Sequence, residues 1–539
     1  MKLSRRKALS VLTGAPAFLL SRKCLAQRSL LSGLIEGSPE AESAATIGGL
    51  PKPELEIAPG PFKPTRASLR EWQVPDWYRD AKFGIWAHWG PQSAVEYGDW
   101  YARNMYIQGH KQYEYHVRVY GHPTKVGYKD LIPSWKAEKF DADHLLQLYK
   151  KAGAKYFCSM AVHHDNFDLW NSKYQPRWNS VAMGPKRDIV ADFRKAAERQ
   201  GLRFAVSEHL APSYHWLSTS HMGDSTGPLA GVPYDGADPA YADLYHALPK
   251  YYPYSYRLLN DRQAPDAWKL HYFRRIMDLV DNYQPDLIYT DGDIFFEEYG
   301  LALVANLYNL DARRHGGHCE AVYFSKLPGD CQVGTCVQDW ERGVDSGIAE
   351  KPWQTDSSIG DWHYNREFPY TTPKYVIDLL VDIVSRNGNL LLNFPLPNSG
   401  ELDYEELVIL DEITKWMAIN SEGIHATRPW KTFGDGPVAR TPSSGGTRFN
   451  EANRKDLTAE EVRFTTKGDV LYAFVMGWPD KLTLIRPLAT VSSYSPPKIR
   501  HVEMLGYQGK LEWAQDEQGL TVVMPEQKPC AYAIALKIV

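Results

Sequence analysis

Six cysteines in 539 residues are too few for a disulfide scaffold. None of Cys24, Cys158, Cys319, Cys331, Cys336 and Cys530 makes a CxxC pair or a zinc-finger spacing, although Cys331 and Cys336 are near enough in the chain to pair. Positive charge is not in excess either. Lys and Arg number 61 against 65 Asp and Glu, a formal net charge of −4 with no long run of either sign, which argues against nucleic acid as a partner. No GxGxxG opens the first turn, so a dinucleotide-binding α/β sheet is disfavoured. No apolar run is long enough to span a bilayer. At 43% hydrophobic residues the chain also lacks the polar bias of disordered proteins. What it has in surplus is aromatic rings, 17 Trp, 33 Tyr and 18 Phe, flat amphipathic surfaces that suit stacking on sugars as well as filling large cores.

The amino terminus reads as an address. Ser4-Arg5-Arg6-Lys7 precedes an apolar stretch ending at Leu20, followed by Arg22, Lys23 and Cys24-Leu25-Ala26. A charged start, a short apolar middle and a small residue at the end are the parts of an export signal, and the paired arginines give it a bacterial twin-arginine character. Residues 1–26 are thus expected to be removed, leaving a periplasmic or extracellular protein with no membrane attachment. Residues 27–66, rich in Ser, Ala, Gly and Pro, read as a linker.

From Trp72 the texture becomes a repeat of apolar run, polar or aromatic end and amphipathic helix. Lys82–Trp89, Lys155–Val162, Phe204–Val206, Asp286–Thr290, Ala321–Phe324, the stretch before Trp340-Glu341 and Asn389–Asn393 are the strand-like runs. Helices are expected over Asp141–Lys151, Ile189–Gln200, Ala267–Tyr283 and Lys374–Val384. Continuous apolar strands alternating with helices predict a parallel sheet buried on both faces, and seven or eight units predict a (β/α) barrel over 67–428. After a helix over Tyr404–Ile419 the pattern turns to short runs separated by Lys467-Gly468-Asp469 and Glu517-Gln518-Gly519, an all-β sandwich over 429–539. An insertion over 209–265, full of Tyr, Pro and His, reads as a lid or subsite loop, or else as plain surface chain.

Active sites of such barrels are built at the carboxyl ends of the strands. Asp291 closes a strongly apolar strand and can face a substrate carbon from one side. Glycoside hydrolysis needs a second carboxyl group as proton donor. Glu341 fits best, because Trp340 beside it would desolvate it and raise its pKa, while Arg342 pulls the other way; Glu320, Glu297 and Glu298 are weaker rivals. His163-His164-Asp165, with Asp293, could form a metal cluster, but adjacent residues on a strand point to opposite faces, and hydrogen bonds to hydroxyls are the better use of these histidines. No metal or other cofactor is expected.

Four ordered blocks carry a resemblance. Phe83–Gly90 with Gly98–Met105, Ala154–Tyr156 through His163–Trp170, Pro285–Asp291 and Ser385–Asn393 are similar to the α-L-fucosidases of glycoside hydrolase family 29. The resemblance implies a (β/α) barrel with a β-sandwich behind it, no metal, and a retaining exo-acting hydrolase of fucosylated oligosaccharides or polysaccharides. It places the nucleophile on Asp291 and sugar contacts on His88, Trp100, His163 and His164. Asp99 and Tyr289 stand in the same motifs as substrate-binding residues, where family members commonly carry Glu and Trp. Gln354 stands where some members carry a glutamate, which leaves Glu341 as acid/base. The unusual Ser207-Glu208-His209 strand end makes Glu208 the second candidate. The same scaffold would serve an α-L-galactosidase, or a carbohydrate-binding relative that has lost catalysis, and an oligomer is compatible with all three.

Overall fold

In a computed structural model, residues 46–47, 50–51, 54–248, 264–332, 334–441, 449–451, 454, 456–494, 496 and 498–539 are described. The chain divides at Glu54 into two units. In the first, Thr46–Ile47 pairs antiparallel with Leu50–Pro51; the expected export signal lies outside the described residues. Everything below concerns Leu55–Val539.

Eight parallel strands close into a barrel: β1 (Phe83–Ala87), β2 (Tyr156–Val162), β3 (Arg203–Glu208), β4 (Leu287–Thr290), β5 (Val322–Ser325), β6 (Val337–Asp339), β7 (Trp353–Ser358) and β8 (Gly388–Asn393). Each pairs with its sequence neighbour, and β8 returns to β1 with Leu390 opposite Phe83. Nearly every residue of these strands is buried, the result expected when a sheet is covered by helices outside and by its own side chains within. β7 has no counterpart among the runs read from sequence, because Gln354, Thr355, Asp356, Ser357 and Ser358 give it a polar face.

The covering helices begin and end where local chemistry dictates. Asp141 caps α1 (Ala142–Lys151) by accepting the His144 N–H at 3.0 Å. Asp188 caps α2 (Ile189–Gln200), which stops at Gly201 in the left-handed region. Helices α3 (Asp266–Tyr283) and α4 (Glu298–Arg314) flank β4, and α5 (Pro373–Ser385) precedes β8. Within the stretch read as a linker, the Ala58 and Phe62 N–H groups donate to Asn306 and Asn309 of α4, so this part of the chain lies on the barrel.

After α6 (Tyr404–Asn420) the chain builds two antiparallel sheets. One has the order β9 (Arg428–Asp435), β10 (Val462–Lys467), β11 (Val470–Val475), β16 (Ile534–Ile538), β13 (Val502–Met504); the other is β12 (Leu482–Ile485), β15 (Leu520–Val523), β14 (Trp513–Gln515). Their inner faces share an apolar core around Phe464, Val475, Leu520 and Leu536. Contact with the barrel is partly ionic. Asp382 of α5 is buried against Arg463 of β10, with Arg454 at 3.3 Å and Arg386 at 3.4 Å.

Candidate active site

A cavity of about 400 Å³ opens at the carboxyl end of the barrel. Its walls are side chains that sit just past the strands. His88 follows β1, its N–H fixed at 2.8 Å on the Asn393 amide oxygen at the end of β8. His163 and His164 follow β2, and both line the cavity. Alternation does not separate them, because the strand has ended at Val162 and the chain has begun to turn. His209 follows β3, Asp291 follows β4, Lys326 follows β5 and Glu341 lies two residues past β6. Trp100 enters from the β1 loop in a left-handed conformation (φ 59°, ψ 20°), a costly backbone state for a bulky residue that the surrounding packing must hold. Gly292, at φ 153°, is required by space as well, since a Cβ there would lie 2.3 Å from the Phe295 ring.

The ionic centre is a lysine between carboxylates. Lys326 Nζ donates to Asp291 Oδ1 and to Glu341 Oε2, both at 2.7 Å, and stands 3.7 Å from Asp356 Oδ2. Asp291 Oδ2 also faces His209 Nδ1 at 3.2 Å and His164 Nε2 at 3.3 Å. His164 is oriented by its Nδ1 donating to the His209 carbonyl at 2.5 Å. The Tyr289 hydroxyl donates to Asp356 at 2.8 Å, and Gln354 donates to Asp339 at 2.8 Å.

These surroundings push the two carboxyl groups apart. Burial would raise Asp291, but the Lys326 ammonium with His209 and His164 overrides it and holds the group well below the usual carboxylate range. Burial raises Glu341; Lys326 opposes it, while Asp356 and Asp291 add to it, and the net direction is upward. Burial also holds His88 and His163 well below the ordinary histidine value, so both are neutral near pH 7. The site therefore pairs an ionised aspartate with a glutamate biased toward its protonated form, the division of labour of an acid and a nucleophile.

A second group of side chains lies beside this pair. Asp99 accepts from His363 Nδ1 at 2.6 Å, and Gln92 Nε2 meets His163 Nδ1 at 2.9 Å. Among the described residues, neither ring nitrogen of His88 has a hydrogen-bond partner, nor has His363 Nε2. Donor atoms of His88, Asp99, His163 and His363 fall within 4.8 Å of one another, as do those of His163, His164 and His209. Either set could receive sugar hydroxyls or hold a metal ion. Rings of Trp86, Trp362 and Tyr289 form an aromatic wall, with Trp86 4.8 Å from Tyr289 and 5.6 Å from Trp362.

Of the residues singled out from sequence, His88, Asp99, Trp100, His163, His164, Tyr289, Asp291 and Glu341 line this cavity. Glu208 does not. Its carboxylate is buried and accepts from the Thr290 hydroxyl, from Tyr272 at 2.9 Å and from the Leu210 N–H at 3.0 Å, while the next residue, His209, takes the place in the wall. Asp293, weighed for a metal, lines the cavity outside both donor groups. Residues not assigned from sequence are Lys326, His209, Asp356, Trp86, Trp362, His363 and Phe449. Lys326 and His209 each sit one residue past a barrel strand, so the rule that found Asp291 reaches them; His363 and Phe449 lie in loops that carry no such signal. Phe449 comes from beyond the barrel, its N–H on the Glu341 carbonyl at 3.0 Å, and Glu451 holds the Arg342 carbonyl in the same way. In the described part of the insertion, 209–248, the first dozen residues are packed, with Trp216 fully buried, while most of 225–243 is exposed even though Asp235 ties Tyr106 to Tyr245.

Comparisons with known proteins agree with this geometry. The α-L-fucosidase family model matches residues 50–422, and the α-L-fucosidase C-terminal domain model matches 454–539. Human tissue α-L-fucosidase is 26% identical over 499 residues, covering 88% of this chain and 90% of its own. An α-L-fucosidase of Branchiostoma floridae is 27% identical over 494 residues, covering 88% and 95%. The crystal structure of Thermotoga maritima α-fucosidase superposes with a TM-score of 0.67 at 25% identity, over 89% of this chain and all of the other. With one family model covering the barrel and its companion the carboxyl-terminal sheets, the chain belongs to the α-L-fucosidase family and is a glycoside hydrolase.

Proposed function

We propose that this chain is a retaining exo-α-L-fucosidase that removes terminal α-L-fucosyl residues through a covalent fucosyl-enzyme. The observation that carries the reading is the Lys326 bridge. Oxygens of Asp291 and Glu341 each stand 2.7 Å from one nitrogen, so they are at most about 5.4 Å apart. So close an approach of the two carboxyl groups favours the ~5–5.5 Å arrangement of retaining enzymes over the ~6.5–9.5 Å arrangement that leaves room for an attacking water. In the proposed cycle the ionised Asp291 attacks the anomeric carbon as Glu341 protonates the departing oxygen. Glu341 then takes a proton from water as that water displaces Asp291 from the sugar. His88, His163, His164 and Asp99 bind hydroxyls. The neutral imidazoles of His88 and His163 suit that task, since each offers one donor and one acceptor. A cavity near the small end of the ligand-pocket range fits a terminal residue better than a chain passing through. A structure of the Thermotoga enzyme in complex with fucose supports the choice of sugar. We place the enzyme outside the cytoplasm on the strength of its amino-terminal sequence.

The test is hydrolysis of an aryl α-L-fucoside by the wild type, Asp291→Gly and Glu341→Ala, with and without azide. The expected result is two crippled variants. Azide then rescues Asp291→Gly with inverted configuration and Glu341→Ala with retained configuration. Full activity of Asp291→Gly without azide would overturn the assignment. A wild type that cleaves only the matching α-L-galactoside would move the substrate, not the mechanism.

A further inference from the structure

The connection from β5 to β6 carries Lys326 at its start, and Glu341 lies two residues past the strand to which it leads. Two cysteines lie inside it. Cys331 sits in the short helix Pro328–Gln332, and Cys336 immediately precedes β6. Both are buried, and their Sγ atoms approach to 2.8 Å. The residues around them are already a brace. Asp330 accepts from Arg66 at 2.6 Å, from the Ser325 hydroxyl at 2.9 Å and from the Ile294 N–H at 2.9 Å; Ile294 belongs to the loop that follows Asp291. Thr335 donates to the Asp330 carbonyl at 2.6 Å, and Tyr308 donates to the Thr335 carbonyl at 2.8 Å.

We propose that Cys331 and Cys336 are a modification site: they form a disulfide that staples the β5–β6 connection, which begins at Lys326. The chemistry is thiol–disulfide exchange with an external disulfide, a small thiol's or an oxidoreductase's. One cysteine thiolate attacks that disulfide and releases the first thiol. The second cysteine thiolate then attacks the mixed disulfide and releases the other, so two protein thiols are oxidised and one external disulfide is reduced to two thiols. Burial leaves no room for the oxidant in the folded state, so the bond forms while the chain folds, before α4 and the Asp330 brace close over the sulfurs. The ring spans six residues, and loop-closure entropy for that size stabilises the folded state by up to about 40-fold in the unfolding equilibrium.

The experiment compares the full chain produced in a disulfide-forming compartment with the same chain produced in a reducing one. Free thiols are alkylated in denaturant and the protein is digested with trypsin. The tryptic peptide Leu327–Arg342 holds both cysteines and no others. From the oxidising preparation it is expected two hydrogen masses below the unmodified peptide and free of alkyl groups; from the reducing preparation it is expected doubly alkylated. The oxidised protein should melt about 2 °C higher, a gap that Cys331→Ala/Cys336→Ala abolishes. A doubly alkylated peptide from the oxidising preparation, or melting that does not differ between the two, would overturn the proposal. None of these readouts depends on the substrate.

Discussion

Replacing Lys326 with methionine removes the cation between Asp291 and Glu341 while keeping most of the side-chain volume. At an effective dielectric of about 20, a charge pair near 4 Å is worth about 4 kcal/mol, and each 1.36 kcal/mol is a factor of ten. Loss of the Lys326–Asp291 pair, 2.7 Å between N and O, therefore lowers kcat/KM on the acid side by up to about 10³ through protonation of the nucleophile, while Asp291, which starts well below the usual carboxylate range, stays largely ionised near pH 7. The direction with pH follows from the same contacts. Lys326 lowers both carboxyl groups, so its removal raises both, and the acidic and the basic limb of the pH–rate profile move to higher pH together. Activity lost on the acid side should return as pH rises, until Glu341 ionises. Lys326→Arg should keep most of the effect, because a guanidinium still places charge between the carboxylates. The assay is kcat/KM for an aryl α-L-fucoside from pH 4 to 9, with circular dichroism to establish that the variant is folded. A folded Lys326→Met enzyme with an unmoved acidic limb would refute the reasoning.

Three further outcomes follow from contacts described above. Glu208→Gln should destabilise the fold by about 1–3 kcal/mol through its mismatched donors, yet leave the basic limb in place, whereas Glu341→Gln should abolish that limb; pH–rate profiles of the two separate the acid/base candidates. Asp382→Asn should cost about 3–5 kcal/mol in urea unfolding, because three arginines lose their buried counter-charge. Arg386, Arg463 and Arg454 outweigh burial and depress the native pKa of Asp382, so the stability it confers is complete above pH ~4 and drains away as pH falls through the native value; the variant should lack that slope. Dialysis against a chelator should leave fucoside hydrolysis unchanged, while added Zn²⁺ should raise KM by occupying His88, Asp99, His163 and His363; activity that vanishes on chelation and returns with metal would favour a metal-dependent hydrolase.

Much of this architecture is legible in the chain because its rules are local. Apolar runs bounded by capped helices give a barrel whose active end is known in advance, and Asp291 and Glu341 follow from their places after β4 and β6. What the sequence leaves open is parity and distance. Glu208 and His209 are both at the end of β3, and only the pairing of Glu208 with Thr290 decides which of them turns outward. Lys326 was within reach of the strand-end rule, but a search for acids and imidazoles passes over a lysine. The argument that separated His163 from His164 assumed strand geometry where the strand had already ended. Neither β9, whose residues are only half-buried, nor β14, with three residues, presents a periodic apolar run in the sequence.

The segment at 449–451 is hydrogen-bonded to the backbone of Glu341 and Arg342, and Phe449 stands in the cavity wall. Glu341, the proposed proton donor, is thus held from two directions, by the barrel that carries it and by chain belonging to the region that follows. Cutting the protein after α6 would remove Phe449 from the cavity wall, so the barrel is not a minimal enzyme with an ornament attached. Substitution of Phe449 can therefore alter the cavity wall while His88, His163 and His164, placed by other strands, keep their positions. The chain that follows the barrel thus shares in shaping the cavity beside Glu341.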